Sequence, residues 1–385
     1  MTTAKETSTN VSKLFSPSES ARTFVKLIQS TTVSPTAIVL QEQKKNKTLS
    51  VADNNTLGVF QPFMNDTAAH VLTAAYLIVL IFALLGNILV IHTIREKKSL
   101  RNAFNMLIVN MALADIMDAI FAIPYSVYSI YYYIDWFPGV FGAILCKILN
   151  YGMSVAIGAS VLTMAIIAAD RYRAIVQALK RPLSFRTGLK CIVAVWVICA
   201  VSYSVELYRF DAVPSMEPGK TLCTVRNEPW LHLLAAFDFI VKIAFNYALP
   251  LIVMSVVYSV IMYTLWKRQP LGENISAAQR HQRLQARRVV KMVTTILTVF
   301  GVCWLPAHTI HLLFAFNPEA VMKMPFWVLH FGFWMAHANS AFNPFIVIIF
   351  GKQLREASKH SLRKLISSKK NRKKDCLMKT SETVM

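Results

Sequence analysis

The sequence predicts an all-α protein, a bundle of seven membrane-spanning helices, and three observations carry that prediction. Hydrophobic residues make up 55% of the 385 positions and charged residues only 16%, too apolar and too weakly charged for an ordinary soluble chain. Seven apolar runs reach the length of about 20 residues that crosses a bilayer as a helix. Lysine and arginine gather in alternate connections between the runs. Runs of this length in lipid are helical, because a helix satisfies its own backbone groups.

In order, the runs are 70–94, 104–128, 143–169, 189–208, 231–266, 289–316 and 326–350, each bounded by polar or Pro/Gly-containing residues. They make one membrane domain over 69–350. Residues 1–68 are rich in Thr, Ser, Asn and Lys, without an apolar stretch at the start. That composition predicts a disordered segment with no cleavable leader, so the first run acts as the signal anchor. Residues 367–385 form a basic tail containing Lys369-Lys370-Asn371-Arg372-Lys373-Lys374.

Positive charge orients the bundle. Arg95, Lys97, Lys98 and Arg101 follow the first run, and Arg171, Arg173, Lys180, Arg181, Arg186 and Lys190 follow the third. Lys267, Arg268, Arg280, Arg283, Arg287, Arg288 and Lys291 lie between the fifth and sixth. The opposite connections mix signs, as in Glu206, Arg209, Asp211, Glu217, Lys220, Arg226 and Glu228. The N-terminus is therefore expected outside and the C-terminus in the cytosol. The net charge of +21 is then mostly a basic inner face against anionic membrane lipids, not a nucleic-acid footprint.

Asn10, Asn46 and Asn54 head glycosylation triplets in the outer segment. Asn65 heads another, close to the membrane, and Asn274 heads one on the inner side that is expected to stay bare. Of the six cysteines, Cys146 and Cys223 fall on the oxidising side and are candidates for one disulfide. Cys191, Cys199 and Cys303 lie inside runs as packing residues. Cys376 beside the basic tail is either acylated or a plain thiol.

Asp170-Arg171-Tyr172 closes the third run, which has no other acid or arginine after Cys146. Charge at the bilayer centre is expensive, so this pair belongs at the membrane–water boundary. Asp170 can hold Arg171 in one arrangement and release it in another, as a latch does.

In their order and spacing these landmarks resemble the rhodopsin-like (class A) G-protein-coupled receptors over roughly residues 70–366. The matching residues are Gly86-Asn87, then Asn110 through Asp115, Cys146, Asp170-Arg171-Tyr172, Trp196, Pro250 and Tyr258. Phe300, Cys303-Trp304-Leu305-Pro306, Asn339, Ser340 and Asn343-Pro344 continue the match. Phe350-Gly351-Lys352 looks like the start of the short amphipathic helix that follows the last span in that family, here over 351–366. The resemblance implies a receptor that is not an enzyme. It switches through Asp170, Arg171, Tyr172, Leu179, Tyr258, Phe300, Trp304, Pro306, Asn343 and Pro344. Asp115, Ser160, Asn339, Ser340 and Asn343 would hold an allosteric sodium ion that favours the inactive state. The same polar side chains also make sense as an interhelical hydrogen-bond network without an ion. Pro250, Pro306 and Pro344 each remove a helical hydrogen bond and supply hinges.

The chain departs from the family pattern at several places. Val347 stands where relatives carry a tyrosine after Asn-Pro, so no hydroxyl reaches toward Tyr258 and a released Arg171. Ala178 replaces the usual proline before Leu179, and Ala286 takes the place of an acid that many relatives set facing the arginine. No proline lies between Trp196 and Pro214.

Met153 and Ser154 occupy the level where monoamine receptors carry an aspartate, and His337 the place of the retinal-linked lysine of opsins, which argues against both ligand types. The outer ends offer instead Tyr125, Tyr128, Tyr131, Tyr132, Tyr133 and Trp136, then His308 and His311, and Phe333, Trp334 and His337. Asp238 and Lys242 stand at i, i+4, either paired with each other or with one of them on a charged ligand group. Tyr128, Met153, Asp238, Lys242, His308, His311, Phe333 and His337 are the candidate ligand contacts. Such an aromatic rim with mixed charges suits a peptide. The segment from Trp304 to Leu312 is similar to that of galanin and allatostatin-type receptors. The expectation is a plasma-membrane receptor that couples an extracellular neuropeptide to heterotrimeric G proteins through outward movement of the sixth helix. Its alternatives are weak or atypical coupling and a non-peptide ligand. A transporter would show internal repeats and a polar midplane path; no repeat is found. Thr383-Val384-Met385 is a possible PDZ ligand or a free tail.

Overall fold

The computed structural model describes residues 64–132, 135–177, 182–215, 219–226, 237, 240–267, 277–361 and 363. Asn10, Asn46, Asn54, Tyr133, Ala178, Leu179, Asp238, Asn274, Cys376 and Thr383-Val384-Met385 lie outside the described residues.

Seven helices long and apolar enough to cross a membrane make up the bundle. They are α1 Asp66–Glu96, α2 Ala103–Tyr132, α3 Gly139–Ile175, α4 Phe185–Ser202, α5 Ile240–Lys267, α6 Ala277–Phe316 and α7 Phe326–Phe350. A further helix, α8, covers 352–361. The mostly helical fold expected from the apolar runs is the one observed. Side-chain caps fix several starts: Asn65 Oδ1 accepts from the Ala68 amide at 2.8 Å, and Ser184 Oγ accepts from that of Thr187 at 3.1 Å. α6 begins at Ala277, well before the apolar run at 289, because a helix continues through polar turns where hydropathy stops marking it.

The interior packs large apolar side chains such as Leu107, Met111 and Ile261 around a set of buried polar residues, and the outward side is apolar. Gly86 and Gly158 show how tightly the helices meet. A Cβ on Gly86 would lie 2.6 Å from the Pro344 ring, and one on Gly158 2.6 Å from the Tyr203 ring. Outward, α1 exposes Leu85 and Ile88, α4 Val197 and Ile198, and α5 Ile252 and Val256, as lipid contact requires. Asn110 ties three helices together: its Nδ2 donates to Thr163 Oγ1 at 2.8 Å and its Oδ1 accepts from Trp196 Nε1 at 2.7 Å.

Ahead of Leu249-Pro250, α5 widens into a π turn over Ala244–Ala248. Proline cannot donate its backbone hydrogen bond, and the extra residue accommodates the loss. The turn lets Asn246 Oδ1 accept from the Tyr203 hydroxyl at 2.7 Å, while Tyr247 donates its own to the Gly301 carbonyl at 2.8 Å.

The connection after α4, read from sequence only as a loop, contains strands. β1 Asp135–Trp136, β2 Phe210–Pro214 and β3 Thr221–Val225 form an antiparallel sheet in the order β1-β3-β2. Ala212 stands opposite Cys223 in the hairpin. Cys223 is bonded to Cys146 with Cα atoms 5.6 Å apart, the pairing the oxidising face predicted. Lys147 and Arg226 both reach Asp211, at 3.1 and 3.4 Å. The hairpin is thereby fastened to the end of α3.

Candidate functional site

At one end of α3, Arg171 is closed onto its neighbour. Its Nε donates to Asp170 Oδ2 at 3.1 Å and its Nη2 donates to the same oxygen. Asp170 is buried, and its Oδ1 accepts from the Leu183 amide at 2.8 Å. The guanidinium carbon sits 4.4 Å from the centroid of Phe104 on α2, a cation–π contact. Tyr258, electrostatically within reach of Arg171, is buried with its hydroxyl unpartnered. Val347 is buried in the same core cluster, 1% exposed; with no oxygen of its own it gives that hydroxyl nothing to bond. Tyr172 packs against this cluster.

In the middle of the bundle lies the polar cluster. Asp115 is buried, with Oδ2 accepting from Asn343 Nδ2 at 2.9 Å and Oδ1 from Ser160 Oγ at 3.5 Å. Ser340, assigned from sequence to the same group, directs its hydroxyl to another carboxylate, Asp118, at 3.0 Å. The side-chain oxygens of Asn339 and Asn343 are buried without hydrogen-bond partners. The orphaned Asn343 oxygen beside the Asp115 carboxylate fits a hard cation such as sodium. Asn87 joins α1 to α7 by donating to the Ser340 carbonyl at 3.0 Å.

Toward the hairpin end, aromatic rings form a continuous wall. Phe300 and Trp304 have centroids 6.2 Å apart, and Trp304 stacks on His308 at 5.5 Å. His308 lies 4.5 Å from Tyr247 and 5.9 Å from His311, which is 5.5 Å from Phe333. His337 stands edge-on to Trp304 at 6.3 Å. Four predicted contacts, His308, His311, Phe333 and His337, are thus brought together. Pro306 lies inside α6 and Pro344 inside α7. Tyr128 stacks on Tyr132 at 4.6 Å and meets Trp136 at 5.3 Å, within the apolar cluster around the disulfide. Met153 is half-buried on α3.

Sequence reasoning missed two groups. Lys242 pairs with Glu206, which also receives Arg209 Nη1 at 3.5 Å. Glu206 and Arg209 are buried, although the run of charges around them reads as a solvated loop. Asp118, buried one turn from Asp115, was passed over too; a second acid at i+3 on an apolar helix was the available signal.

The pattern of the family 7 transmembrane receptor (rhodopsin family) matches residues 86–346. The chain is 29% identical over 298 residues to the substance-P receptor of Rattus norvegicus, covering 75% of this chain and 70% of that one. It is 31% identical over 309 residues to the neuromedin-K receptor of Cavia porcellus, with 80% and 68% covered. With the substance-K receptor of Canis lupus familiaris it shares 31% identity over 323 residues, 82% of this chain and 81% of that one. These three relatives are named for other peptides than the galanin and allatostatin receptors that α6 resembles. The chain belongs to the rhodopsin family of seven-transmembrane, G-protein-coupled receptors, and as such it is a multi-pass membrane protein and not an enzyme.

Proposed function

We propose that this receptor sits in the plasma membrane with its N-terminus outside, binds an extracellular neuropeptide, and triggers nucleotide exchange on heterotrimeric G proteins. The observation that carries the peptide reading is the cluster of aromatic rings at the end of the bundle that carries the disulfide-anchored hairpin. Tyr247, His308, His311 and Phe333 supply the rings, and Lys242, partly exposed and paired with Glu206, adds a charged group. A ring-rich end of this kind suits a ligand with many groups to contact. Relatives named for substance P, substance K and neuromedin K support the same reading.

In the mechanism, peptide pressed against His308, His311 and Trp304 favours the state in which α6 pivots at Pro306 and its inner end swings outward. Arg171 then leaves Asp170 and Phe104 and, with Leu179, meets the G protein. Asp115, Ser160, Asn339, Ser340 and Asn343 would hold sodium in the closed state, where the ion would neutralise buried negative charge and stabilise that packing. A second reading, a receptor that binds peptide but couples weakly, is favoured by Val347 in the place of a hydroxyl-bearing residue.

The test is a peptide panel including substance P, substance K, neuromedin K, galanin and allatostatins, applied to cells carrying a promiscuous G-protein reporter. A saturable second-messenger response above mock-transfected cells is expected from at least one peptide. Silence across the panel, with receptor verified at the surface, overturns the peptide reading.

A further inference from the structure

α6 runs well past its own apolar stretch. The helix begins at Ala277, while the apolar run begins at 289. From Arg280 to Lys291 it covers about 16 Å at 1.5 Å per residue. This extension carries Arg280, Arg283, Arg287, Arg288 and Lys291, all exposed. The 40 residues of α6 contain no Asp or Glu, so no acid on the same helix can hold these cations. Among the described residues none of the five forms an ion pair.

Helical phase sets the direction in which they point. Residues 18 apart stand five turns apart on one face. Arg280 is thus in line with Thr298 and Phe316, Arg287 with Leu305, and Lys291 with Thr309. That line is the outward side of α6: Leu305 is 56% and Phe316 64% exposed, and Thr298 and Thr309 are exposed with them. Arg283 and Arg288 flank it. The inward line is of a different kind, with Val290, Val293 and Leu297 buried and Ala286, one turn before Val290, uncharged. The lipid-facing stripe of α6 therefore continues on the same face as a basic stripe where the helix leaves the bilayer. On α5, exposed Tyr263 and Trp266, with centroids 6.3 Å apart, come just before Lys267. Such aromatics sit at headgroup level. Long basic side chains at that level lay their stems on apolar surface and carry their charge to the headgroups.

We propose that the Arg280–Lys291 stripe binds anionic lipid of the inner leaflet, and that this contact favours the outward position of α6. The second half rests on the outward-swing reading above. A partner shifts a two-state helix only by binding one position better than the other. Each cation that nears an anionic bilayer gains attraction, and the swing carries the stripe toward the bilayer. The inner face it leaves bears exposed Arg173, Lys190 and Lys267, whose repulsion the swing relieves. Both effects have the same sign. Nor does an acid of α6 oppose them, since Ala286 takes the place from which many relatives face the arginine.

Full-length receptor in lipid nanodiscs tests both halves. Native mass spectrometry reads which lipids the released protein keeps from phosphatidylcholine discs with added phosphatidylserine. The wild type should retain phosphatidylserine preferentially. That preference should fall about tenfold or more when all five residues become Gln, each cation near an anionic surface being worth about fivefold. It should survive when the four arginines become Lys, and when Lys369, Lys370, Arg372, Lys373 and Lys374 of the tail become Gln instead. Electron–electron resonance between spin labels at Gln285→Cys and Leu189→Cys, with Cys191→Ser and Cys376→Ser, reads the separation of the inner ends of α6 and α4. The longer separation should gain population on adding phosphatidylserine, without G protein, and should not do so in the glutamine variant. Equal retention by wild type and glutamine variant overturns the lipid contact. Stripe-dependent retention with an unmoved α6 overturns its effect on the helix. If soluble polyphosphate produces the same shift in neutral discs, the partner is a free anion and the assignment to lipid falls. If α6 keeps one separation even with activating peptide and G protein bound, the outward-swing reading fails, and retention still decides the lipid contact.

Discussion

The guanidinium carbon of Arg171 rests 4.4 Å from the centroid of the Phe104 ring while its nitrogens hold Asp170. The latch therefore has two hands, one acidic and one aromatic. Asp170→Asn removes the charge, and Phe104→Leu removes the ring face. Each is expected to raise agonist-independent G-protein activation, with Asp170→Asn the larger because a charge-assisted bond outweighs a partly buried cation–π contact. Energy transfer between G-protein subunits, normalised to surface expression, reads both. Unchanged basal signal in both variants contradicts the latch.

Val347→Tyr adds a hydroxyl to the core cluster that also holds Tyr258, whose own hydroxyl is buried without a partner. Higher basal and maximal signalling is expected. Because Val347 is only 1% exposed, overpacking costs about 1–3 kcal/mol, so thermal stability in detergent should fall. A stable, fully folded variant with unaltered signalling would show that the missing hydroxyl does not limit coupling.

Asp115 and Asn343 stand 2.9 Å apart across α2 and α7. If sodium is held there, replacing sodium by choline in the assay raises basal activity of the wild type. Asp115→Asn should abolish that difference. Equal sodium sensitivity in both proteins excludes Asp115 as a ligand.

Gly158→Ala places a Cβ against the Tyr203 ring and 3.2 Å from Cys199 Sγ. The ring would have to give way, loosening its hydroxyl from Asn246 and the α4–α5 contact with it. A loss of about 1–3 kcal/mol is expected, read as a lower unfolding midpoint. An exposed change such as Leu189→Ala serves as the matched control.

Much of this was legible in the sequence because lipid makes each long apolar run a helix. The seven spans and the Cys146–Cys223 bond are of that kind. Glu206 and Arg209 were misjudged because charge in a connection looks solvated until tertiary packing buries it. Asp118 was missed because its partner, His337, is 219 residues away, beyond any local pattern. The hairpin strands are five residues each, short and fixed by the disulfide more than by alternation.

Nucleotide exchange tests the central claim most directly. Purified receptor in lipid nanodiscs is mixed with heterotrimeric G protein and labelled GTP, with and without the peptide that activates cells. Faster exchange with peptide, lost in Arg171→Ala, is predicted. Exchange at one rate with and without peptide, from receptor shown to bind it, would contradict a peptide-driven G-protein switch.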